Sequence, residues 1–174
     1  NNNFWKKKNV LITGISGFVG SNLAKNLSSI GANVVGLTQK KRKKYSLLFY
    51  EKIHKKVNVI FGDITDKKLI KRILKKYKIE ICFHLAAQVE VGLAKREPYG
   101  TWESNIRGTY TLLDSLRENR KNIKSIIIAS SDKVYGEYGL KEMPYKENYQ
   151  LKPTFPYDTS KACADMIAKT YSSK

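Results

Sequence analysis

Apolar and polar positions alternate along the chain in blocks that predict strands and helices in turn. Short apolar runs, typical of buried strands, lie at residues 9–13, 33–37, 57–61, 80–84 and 123–129. Segments with helical periodicity separate them, at residues 21–30, 67–77, 98–120 and 156–171. This alternation is typical of α/β proteins, in which helices cover both faces of a parallel sheet. We therefore predict one domain over residues 1–174, built on a doubly wound parallel sheet.

A glycine-rich turn joins the first predicted strand to the first helix. Residues 14–20 read Gly-Ile-Ser-Gly-Phe-Val-Gly. Gly14 would allow the tight turn, Gly17 would let the backbone approach a pyrophosphate, and Gly20 would let the helix pack closely on the strand. The helix N-terminus would then present free N–H groups to the phosphates. Three glycines in seven residues can also form a plain turn. The flanking strand and helix favour a dinucleotide-binding Rossmann turn.

The second predicted strand leaves the choice of dinucleotide open. No acid follows it to hold the adenosine ribose, because Thr38, Gln39 and a basic run at residues 40–44 stand there. A basic side chain of this run, from Lys40, Lys41 or Arg42, could hold the 2′-phosphate of NADP. Asp63, after the third strand, could accept a hydrogen bond from the adenine amino group or act as a turn aspartate.

The fourth predicted strand ends in small residues that would let a cofactor pass close to the backbone, at residues 85–88. We interpret His84 before them as a packed histidine, because no second metal ligand lies nearby. Asn105, on the long predicted helix, is expected to be buried. A buried amide needs hydrogen-bond partners, and we expect it to tie two strand ends together.

Candidate catalytic side chains follow the apolar run at residues 126–129, which we interpret as a buried strand. Ser131, Asp132 and Lys133 can hold or move protons, and ligands bind beyond the carboxyl ends of strands in such sheets. The same residue types are ordinary helix caps and turn formers, so this segment alone leaves both interpretations open. The loop at residues 135–155 is long enough to be a lid or a binding loop.

A tyrosine and a lysine lie on one side of the last predicted helix. Tyr157 and Lys161 are four residues apart, which places them on the same face. An ammonium group beside a phenol favours the phenolate. Tyr157 is therefore a candidate base for a sugar hydroxyl, although this spacing is common by chance.

Composition limits the function classes. The net charge of +18 suggests binding to nucleic acid, but the basic residues are spread over most predicted surfaces, which favours a lysine-rich surface instead. Cys82 and Cys163 lack metal-ligand spacing, so we interpret them as reduced packing residues of a cytoplasmic protein. No segment is long and apolar enough to span a membrane, and glycine and hydroxyl residues interrupt the apolar run that resembles a signal peptide.

Taken in order, these motifs resemble the extended short-chain dehydrogenase/reductase family. The matching residues span essentially the whole chain: 13–20, Asp63 with Ile64, 84–88, Asn105 with Gly108 and Thr109, Ser130 with Ser131, and Tyr157 with Lys161. An Asp-Lys pair directly after the catalytic serine resembles the CDP-glucose 4,6-dehydratase group, which includes relatives acting on GDP-mannose. Nucleotide-sugar 4-epimerases usually lack such a pair.

The resemblance implies a set of site residues. The catalytic residues would be Ser131, Asp132, Lys133, Tyr157 and Lys161, and the substrate would contact Gln88 and Ser131. NAD, or NADP, would contact Gly14, Gly17, Phe18, Val19, Gly20, Asp63, Ile64, Leu85, Ala86, Ala87, Asn105, Ser130, Tyr157 and Lys161. No metal is implied.

The resemblance also implies a mechanism. Tyr157 takes the proton of the sugar 4-hydroxyl as hydride leaves C4, and Ser131 hydrogen-bonds the developing carbonyl. Asp132 protonates the leaving 6-hydroxyl and Lys133 takes the C5 proton. The hydride then returns to C6 and gives a 4-keto-6-deoxy sugar, while Lys161 holds the nicotinamide ribose.

The family also has a C-terminal portion that completes the nucleotide-sugar pocket, and this portion is not found in the sequence. We therefore expect an N-terminal fragment that associates or is weakly stable and does not turn over substrate alone. A homodimer is the family expectation for the full-length protein. A 4-epimerase, or a non-catalytic module that binds a dinucleotide or RNA, is the alternative.

Overall fold

Five short apolar segments form strands of a single parallel sheet. The computed structural model describes residues 2–39 and 46–172. The strands are β1 (Asn9–Thr13), β2 (Asn33–Thr38), β3 (Asn58–Phe61), β4 (Ile81–His84) and β5 (Ser125–Ile128). Their order across the sheet is β3-β2-β1-β4-β5. The chain thus builds outwards from β1 to β3 and then returns to place β4 on the other side of β1, which confirms the doubly wound Rossmann-type sheet.

Helices connect the strands. The α-helices are α1 (Asn2–Trp5), α2 (Phe18–Ser29), α3 (Leu47–Tyr50), α4 (Lys67–Lys76), α5 (Val91–Arg96), α6 (Pro98–Trp102), α7 (Gly108–Glu118) and α8 (Pro156–Ser172). Within residues 2–39 and 46–172, three short 3-10 helices lie at Ile53–Lys55, Asp132–Tyr135 and Leu140–Glu142. A π-helical segment, Glu103–Arg107, joins α6 to α7, where the sequence predicted one continuous helix.

Capping residues explain where α4 begins and where α2 ends. Asp66 accepts a hydrogen bond from the Leu69 N–H and so caps α4. Gly31 follows α2 with a φ of +87°, a left-handed conformation that glycine adopts without steric cost. Both ends agree with the sequence prediction.

The sheet buries apolar side chains on both faces because successive residues of a strand point to opposite sides. In β1, Leu11 faces one core, and Val10 and Ile12 face the other. The first core includes Leu11, Val35, Leu37, Ile70, Ile73, Leu74, Cys82, Leu112 and Leu116. The second includes Val10, Ile12, Ile15, Ala24, Leu27, Val34, Leu48, Ile53 and Ile81. Strands buried on both faces are uniformly apolar rather than alternating, as the sequence shows.

The strand β5 departs from its prediction. Its apolar residues indicated a buried strand, but Ile126 and Ile127 are 38% and 40% exposed. The reason is its position, because β5 is the last strand of the described sheet and pairs only with β4. An edge strand lacks one of the two neighbours that would cover its side chains.

The chain divides into two compact units. The sheet unit comprises the described residues of Asn1–Ala86 together with Thr111–Ala129, and it contains all five strands. The helical unit comprises Ala87–Tyr110 and the described residues of Ser130–Lys174. Within the helical unit, α8 packs against α5, α6, the π-helical segment and the 3-10 helix Asp132–Tyr135.

Three expectations from composition concern the cysteines, membrane-spanning helices and the basic run. Cys82 and Cys163 are free thiols, and burial raises the pKa of Cys82 to about 12. Among the helices described, none has the length and apolar character needed to cross a membrane. The basic run at residues 40–44, a candidate phosphate-binding segment, lies outside the described residues.

Candidate active site

The glycine-rich turn is fixed by backbone contacts in the sheet unit. Gly14 has a φ of +73°, and its N–H donates to the Leu37 carbonyl oxygen over 2.9 Å. A Cβ atom at Gly14 would lie 2.8 Å from the backbone of Leu85 and Ala86. A Cβ atom at Gly20 would lie 2.4 Å from the Gly14 carbonyl oxygen. Both glycines are therefore required by close packing of the turn against β4 and α2.

Gly17 stands apart from the other two glycines. It is the N-cap of α2 with a φ of −70°, and a Cβ atom there would meet only the Gly14 carbonyl oxygen, at 3.3 Å. No side chain caps this helix end. Phe18 and Val19 in the first turn are 80% and 62% exposed. Among the described residues, no side chain therefore covers the backbone at the start of α2. Because the first N–H groups of a helix lack partners within the helix, a ligand could approach them here.

Thr13 links the ends of β1 and β4, where the strand order reverses. Its hydroxyl oxygen lies 3.2 Å from the N–H groups of Leu85 and Ala86, and 2.7 Å from Nδ1 of His84. The Thr13 hydroxyl therefore joins the backbone after β4 to the His84 ring. His84 is 4% exposed, and the prediction of a packed histidine is confirmed.

The ends of β2 and β3 carry Gln39 and Asp63. One carboxylate oxygen of Asp63 accepts from the N–H and hydroxyl of Thr65, at 2.9 and 2.7 Å. The other accepts from the Gln39 side-chain amide at 3.3 Å. Asp63 therefore makes the hydrogen bonds of a turn aspartate, while its neighbour Ile64 is buried.

Asn105 lies in the π-helical segment of the helical unit and is 2% exposed. Its side chain bonds both backbone groups of Gln88, at 2.7 Å to N and 3.0 Å to O. Its amide also donates to the Ser160 hydroxyl at 2.9 Å, and this hydroxyl donates to the Tyr157 carbonyl oxygen at 2.7 Å. The expectation that Asn105 ties two strand ends together was wrong, because it ties the segment after β4 to α8 instead.

The side chain of Gln88 is held at one end only. Its amide nitrogen donates to the Glu90 carbonyl oxygen at 3.0 Å. Its oxygen is buried and has no hydrogen-bond partner among the described residues. A buried acceptor without a donor is unfavourable, so this atom is a candidate contact for a ligand hydroxyl.

Tyr157 and Lys161 lie one turn apart near the start of α8. Tyr157 is half-buried, and Lys161 is 8% exposed. Burial lowers the pKa of Lys161, and the nearby Asp165 carboxylate opposes part of this shift. Because residues four apart share a helix face, Lys161 and Tyr157 lie on the same side of α8.

Ser131 begins the 3-10 helix that holds Asp132 and Lys133. Its hydroxyl oxygen accepts from the Lys133 N–H at 3.2 Å, and the hydroxyl lies 3.3 Å from a carboxylate oxygen of Asp132. Asp132 and Lys133 are exposed, whereas Val134 anchors the turn at 3% exposure. Ser131 therefore does act as a cap, and the same turn packs against α8, which carries Tyr157 and Lys161.

The predicted site residues divide between the two units. Those in the sheet unit are Gly14, Gly17, Phe18, Val19, Gly20, Asp63, Ile64, Leu85 and Ala86. Those in the helical unit are Ala87, Gln88, Asn105, Ser130, Ser131, Asp132, Lys133, Tyr157 and Lys161. The first set gathers at the carboxyl edge of the sheet, and all five predicted catalytic residues belong to the second set.

Two residues of the site were missed by sequence reasoning. Thr13 organises the ends of β1 and β4, and its only signal was its place directly before Gly14. Ser160 joins Asn105 to the backbone of Tyr157, and its only signal was its place within the Tyr-x-x-Ser-Lys segment. Neither position shows its hydrogen bonds until the turn and the helix are folded.

The fold is that of a Rossmann-type α/β protein with a glycine-rich turn after its first strand. The family model described as GDP-mannose 4,6 dehydratase matches residues 11–174, so the chain belongs to this family. It is 34% identical over 173 residues to a CDP-glucose 4,6-dehydratase of Salmonella typhimurium, covering 97% of this chain and 46% of the relative. It is 32% identical to a UDP-glucose 4-epimerase of Neisseria meningitidis, covering 92% of this chain and 47% of the relative.

A solved structure shows the same fold. The dTDP-glucose 4,6-dehydratase of Bacillus anthracis, in complex with NAD, superposes with a TM-score of 0.78 at 29% identity, covering 94% of this chain and 50% of that chain. The chain therefore spans about half the length of the relatives that it matches.

Proposed function

We propose that this chain carries the cofactor-binding and acid–base residues of an NAD-dependent nucleotide-sugar 4,6-dehydratase. One observation carries the proposal: the turn with Ser131, Asp132 and Lys133 packs against α8, which carries Tyr157 and Lys161. The Asp-Lys pair after the serine supports a dehydratase over a 4-epimerase.

The glycine turn fits a dinucleotide. Gly17 leaves open backbone at the start of α2, where a pyrophosphate would approach the helix N-terminus. NAD would be held by the turn at residues 14–20, by Asp63 with Ile64, and by the segment after β4. When bound, this cofactor would supply hydride transfer from and to the sugar. The NAD in the Bacillus anthracis relative supports this cofactor, and NADP is the alternative.

The oxidation half-reaction would use α8 and the serine turn. Tyr157 removes the proton of the 4-hydroxyl, and Ser131 donates a hydrogen bond to the developing carbonyl oxygen. Lys161, buried one turn away, would hold the ribose of the cofactor. The oxygen of Gln88, buried without a donor, accepts a hydrogen bond from a sugar hydroxyl.

The elimination half-reaction would use the two exposed residues of the same turn. Once C4 is a carbonyl, the C5 proton is acidic. Lys133 takes this proton, and Asp132 gives a proton to the leaving 6-hydroxyl. The C5–H and C6–O bonds break, a C5–C6 double bond forms, and one water leaves. Hydride returned to C6, with the proton held by Lys133 returned to C5, would complete a 4-keto-6-deoxy sugar.

A 4-epimerase is the second candidate, because relatives of that activity match the chain at a similar identity. An epimerase would use Ser131, Tyr157 and Lys161, but its reaction eliminates no water. Asp132 and Lys133 would then have no chemical role. A homodimer and a cytoplasmic location are further parts of the proposal that rest on the family.

The test is a chimera that joins this chain to the remaining part of the Salmonella typhimurium relative, because that relative is about twice as long. The chimera is incubated with NAD and CDP-glucose, dTDP-glucose, GDP-mannose or UDP-glucose, and products are identified by mass spectrometry and NMR. Loss of one water supports the dehydratase, and an inverted 4-hydroxyl supports the epimerase.

Two variants of the chimera separate the roles. Tyr157→Phe is expected to lose at least a hundredfold in rate, consistent with loss of a general base. Lys133→Ala is expected to lose elimination while still reducing NAD in a single turnover. Full elimination by Lys133→Ala would disprove the role of this lysine. A chimera that is folded by circular dichroism and binds no NAD would contradict the whole proposal.

A further inference from the structure

A groove lies beside the free edge of the sheet, on the far side of the sheet unit from β5. It has a volume of about 170 Å³ between β3 and α4. Its lining residues are Ile60, Leu69, Arg72, Ile73, Lys76 and Tyr77. We call it the β3 groove. It contains none of the residues assigned to the proposed active site.

The floor of the β3 groove is apolar and firmly packed. Leu69 and Ile73 are 7% and 2% exposed and belong to one of the two cores. Ile60 and Tyr77 are partly buried against the same core. An apolar side chain can contact such a floor without rearranging it. The volume of the groove, about 170 Å³, suits one such side chain rather than a helix.

Two cations rim the groove. Arg72 and Lys76 lie on the stripe of α4 that also contains Leu69 and Ile73, since residues three and four apart share a helix face. Elsewhere on this helix, Lys67 and Lys71 pair with carboxylates of α7. No ion pair among the described residues uses Arg72 or Lys76. Their charges are therefore available to an incoming acid.

The backbone beside the groove is also available. In the described sheet, β3 pairs only with β2, so the outer side of β3 is an unpaired edge. Extended peptides bind such edges by adding a strand, with backbone hydrogen bonds for affinity and side-chain pockets for specificity.

We propose that the edge of β3 and the β3 groove bind an extended acidic segment of another protein. The segment adds a strand to β3, places one apolar side chain in the groove and sets its carboxylates against Arg72 and Lys76. Charge decides the kind of partner. A second copy of this chain carries the same net charge of +18, and pairing two β3 edges would bring the rim cations of both copies together.

The probe is a fluorescein-labelled peptide of sequence Asp-Glu-Val-Phe-Val-Glu-Asp, titrated with the chain and followed by fluorescence anisotropy. Arg72→Glu with Lys76→Glu is expected to weaken binding at least fivefold. The matched control is Lys68→Glu with Lys75→Glu, which makes the same charge change on exposed positions of α4 outside the groove. This control is expected to change the affinity less than twofold. Circular dichroism melts of all variants verify that each is folded.

Two further arms test the groove and the edge. A peptide with alanine in place of phenylalanine is expected to bind at least fivefold more weakly. Amide NMR signals of Asn58–Phe61 are expected to shift on addition of the original peptide. Equal weakening by both double variants, equal binding of the alanine peptide, or unshifted β3 amides would overturn the proposal. NAD binding is measured in parallel, so a failure of this surface is distinguishable from a failure of the proposed enzyme.

Discussion

Gly14 shows how one residue connects the folding of the sheet with the site. Its left-handed backbone lets the chain turn at the end of β1, and its missing side chain lets the turn touch the backbone after β4. The Thr13 hydroxyl accepts hydrogen bonds from the N–H groups of Leu85 and Ala86 in the same backbone segment. The residues that hold the sheet together at this edge are therefore also the residues that shape the dinucleotide turn.

A substitution at Gly14 tests this packing. Gly14→Ala is expected to destabilise the chain by about 2 kcal/mol or more, because it adds left-handed strain and a contact with rigid backbone. The measurement is the free energy of unfolding in urea. The matched control is Gly100→Ala in α6, where a Cβ atom would meet nothing within 4 Å. That change is expected to be neutral or to stabilise by about 0.5 to 1 kcal/mol. Equal effects of the two substitutions would contradict this account.

Glu80 controls the pH dependence at the opposite edge of the sheet. Its carboxylate bonds Lys124 at 2.7 Å and the Asn9 N–H at 3.1 Å, and these contacts lower its pKa to about 2 from an ordinary 4.5. The unfolded chain takes up this proton near pH 4.5, whereas the folded chain keeps the carboxylate down to about pH 2. The contribution of Glu80 is therefore complete above pH 4.5 and is lost as the pH falls towards 2.

Glu80→Gln tests this linkage. At pH 7 the substitution is expected to cost about 1 to 2 kcal/mol, because a charged hydrogen-bond acceptor is replaced by a neutral amide. The difference from the wild type should shrink as the pH is lowered from 5 to 3, which thermal melts at several pH values measure. Glu147→Gln, at an exposed position, is the control and should be within about 0.5 kcal/mol at every pH. A constant difference across this range would exclude the linkage.

At the scale of elements, periodicity predicted the strands and helices because each was set by local apolar patterns. The five apolar runs became β1 to β5, and the capping residues Asp66 and Gly31 acted where expected. Patterns could not predict the π-helical segment or the exposure of β5. The first contains Asn105, whose hydrogen bonds reach residues distant in sequence, and the second depends on which strands flank β5. The candidate catalytic residues were predicted by family motifs rather than by periodicity.

Ser160 tests the network that joins these elements. Its hydroxyl bridges the Asn105 amide and the Tyr157 carbonyl oxygen in a fully buried position. Ser160→Ala is expected to destabilise the chain by about 1 to 2 kcal/mol, because a buried amide hydrogen and a carbonyl lose their partner.

The matched control is Ser29→Ala on α2. Its hydroxyl makes the same kind of bond, to the carbonyl of the residue three positions earlier, but in an exposed setting. Unfolding in urea should show an effect of less than about 0.5 kcal/mol there. A similar cost at both serines would mean that the link to Asn105 adds nothing.

At the scale of the whole molecule, the question is whether the chain binds a dinucleotide. We expect NAD to raise the melting temperature and to give a binding isotherm by calorimetry, since any ligand that binds only the folded state stabilises it. Gly17→Val is expected to abolish both effects, because the added side chain would fill the open backbone at the start of α2. NADP titrated in parallel decides between the two cofactors, for which the basic run at residues 40–44 left the prediction open.

Gly17 is a better test position than Gly14 because a side chain there meets less backbone and no left-handed strain. Its φ of −70° suits any residue, and a Cβ atom would meet only one oxygen at 3.3 Å. Gly17→Val should therefore retain most of the wild-type stability in the absence of NAD, so that lost binding reports on the site rather than on unfolding. Binding that survives this substitution would place the dinucleotide elsewhere. A folded wild-type chain that binds neither cofactor would move the functional assignment towards its basic surface.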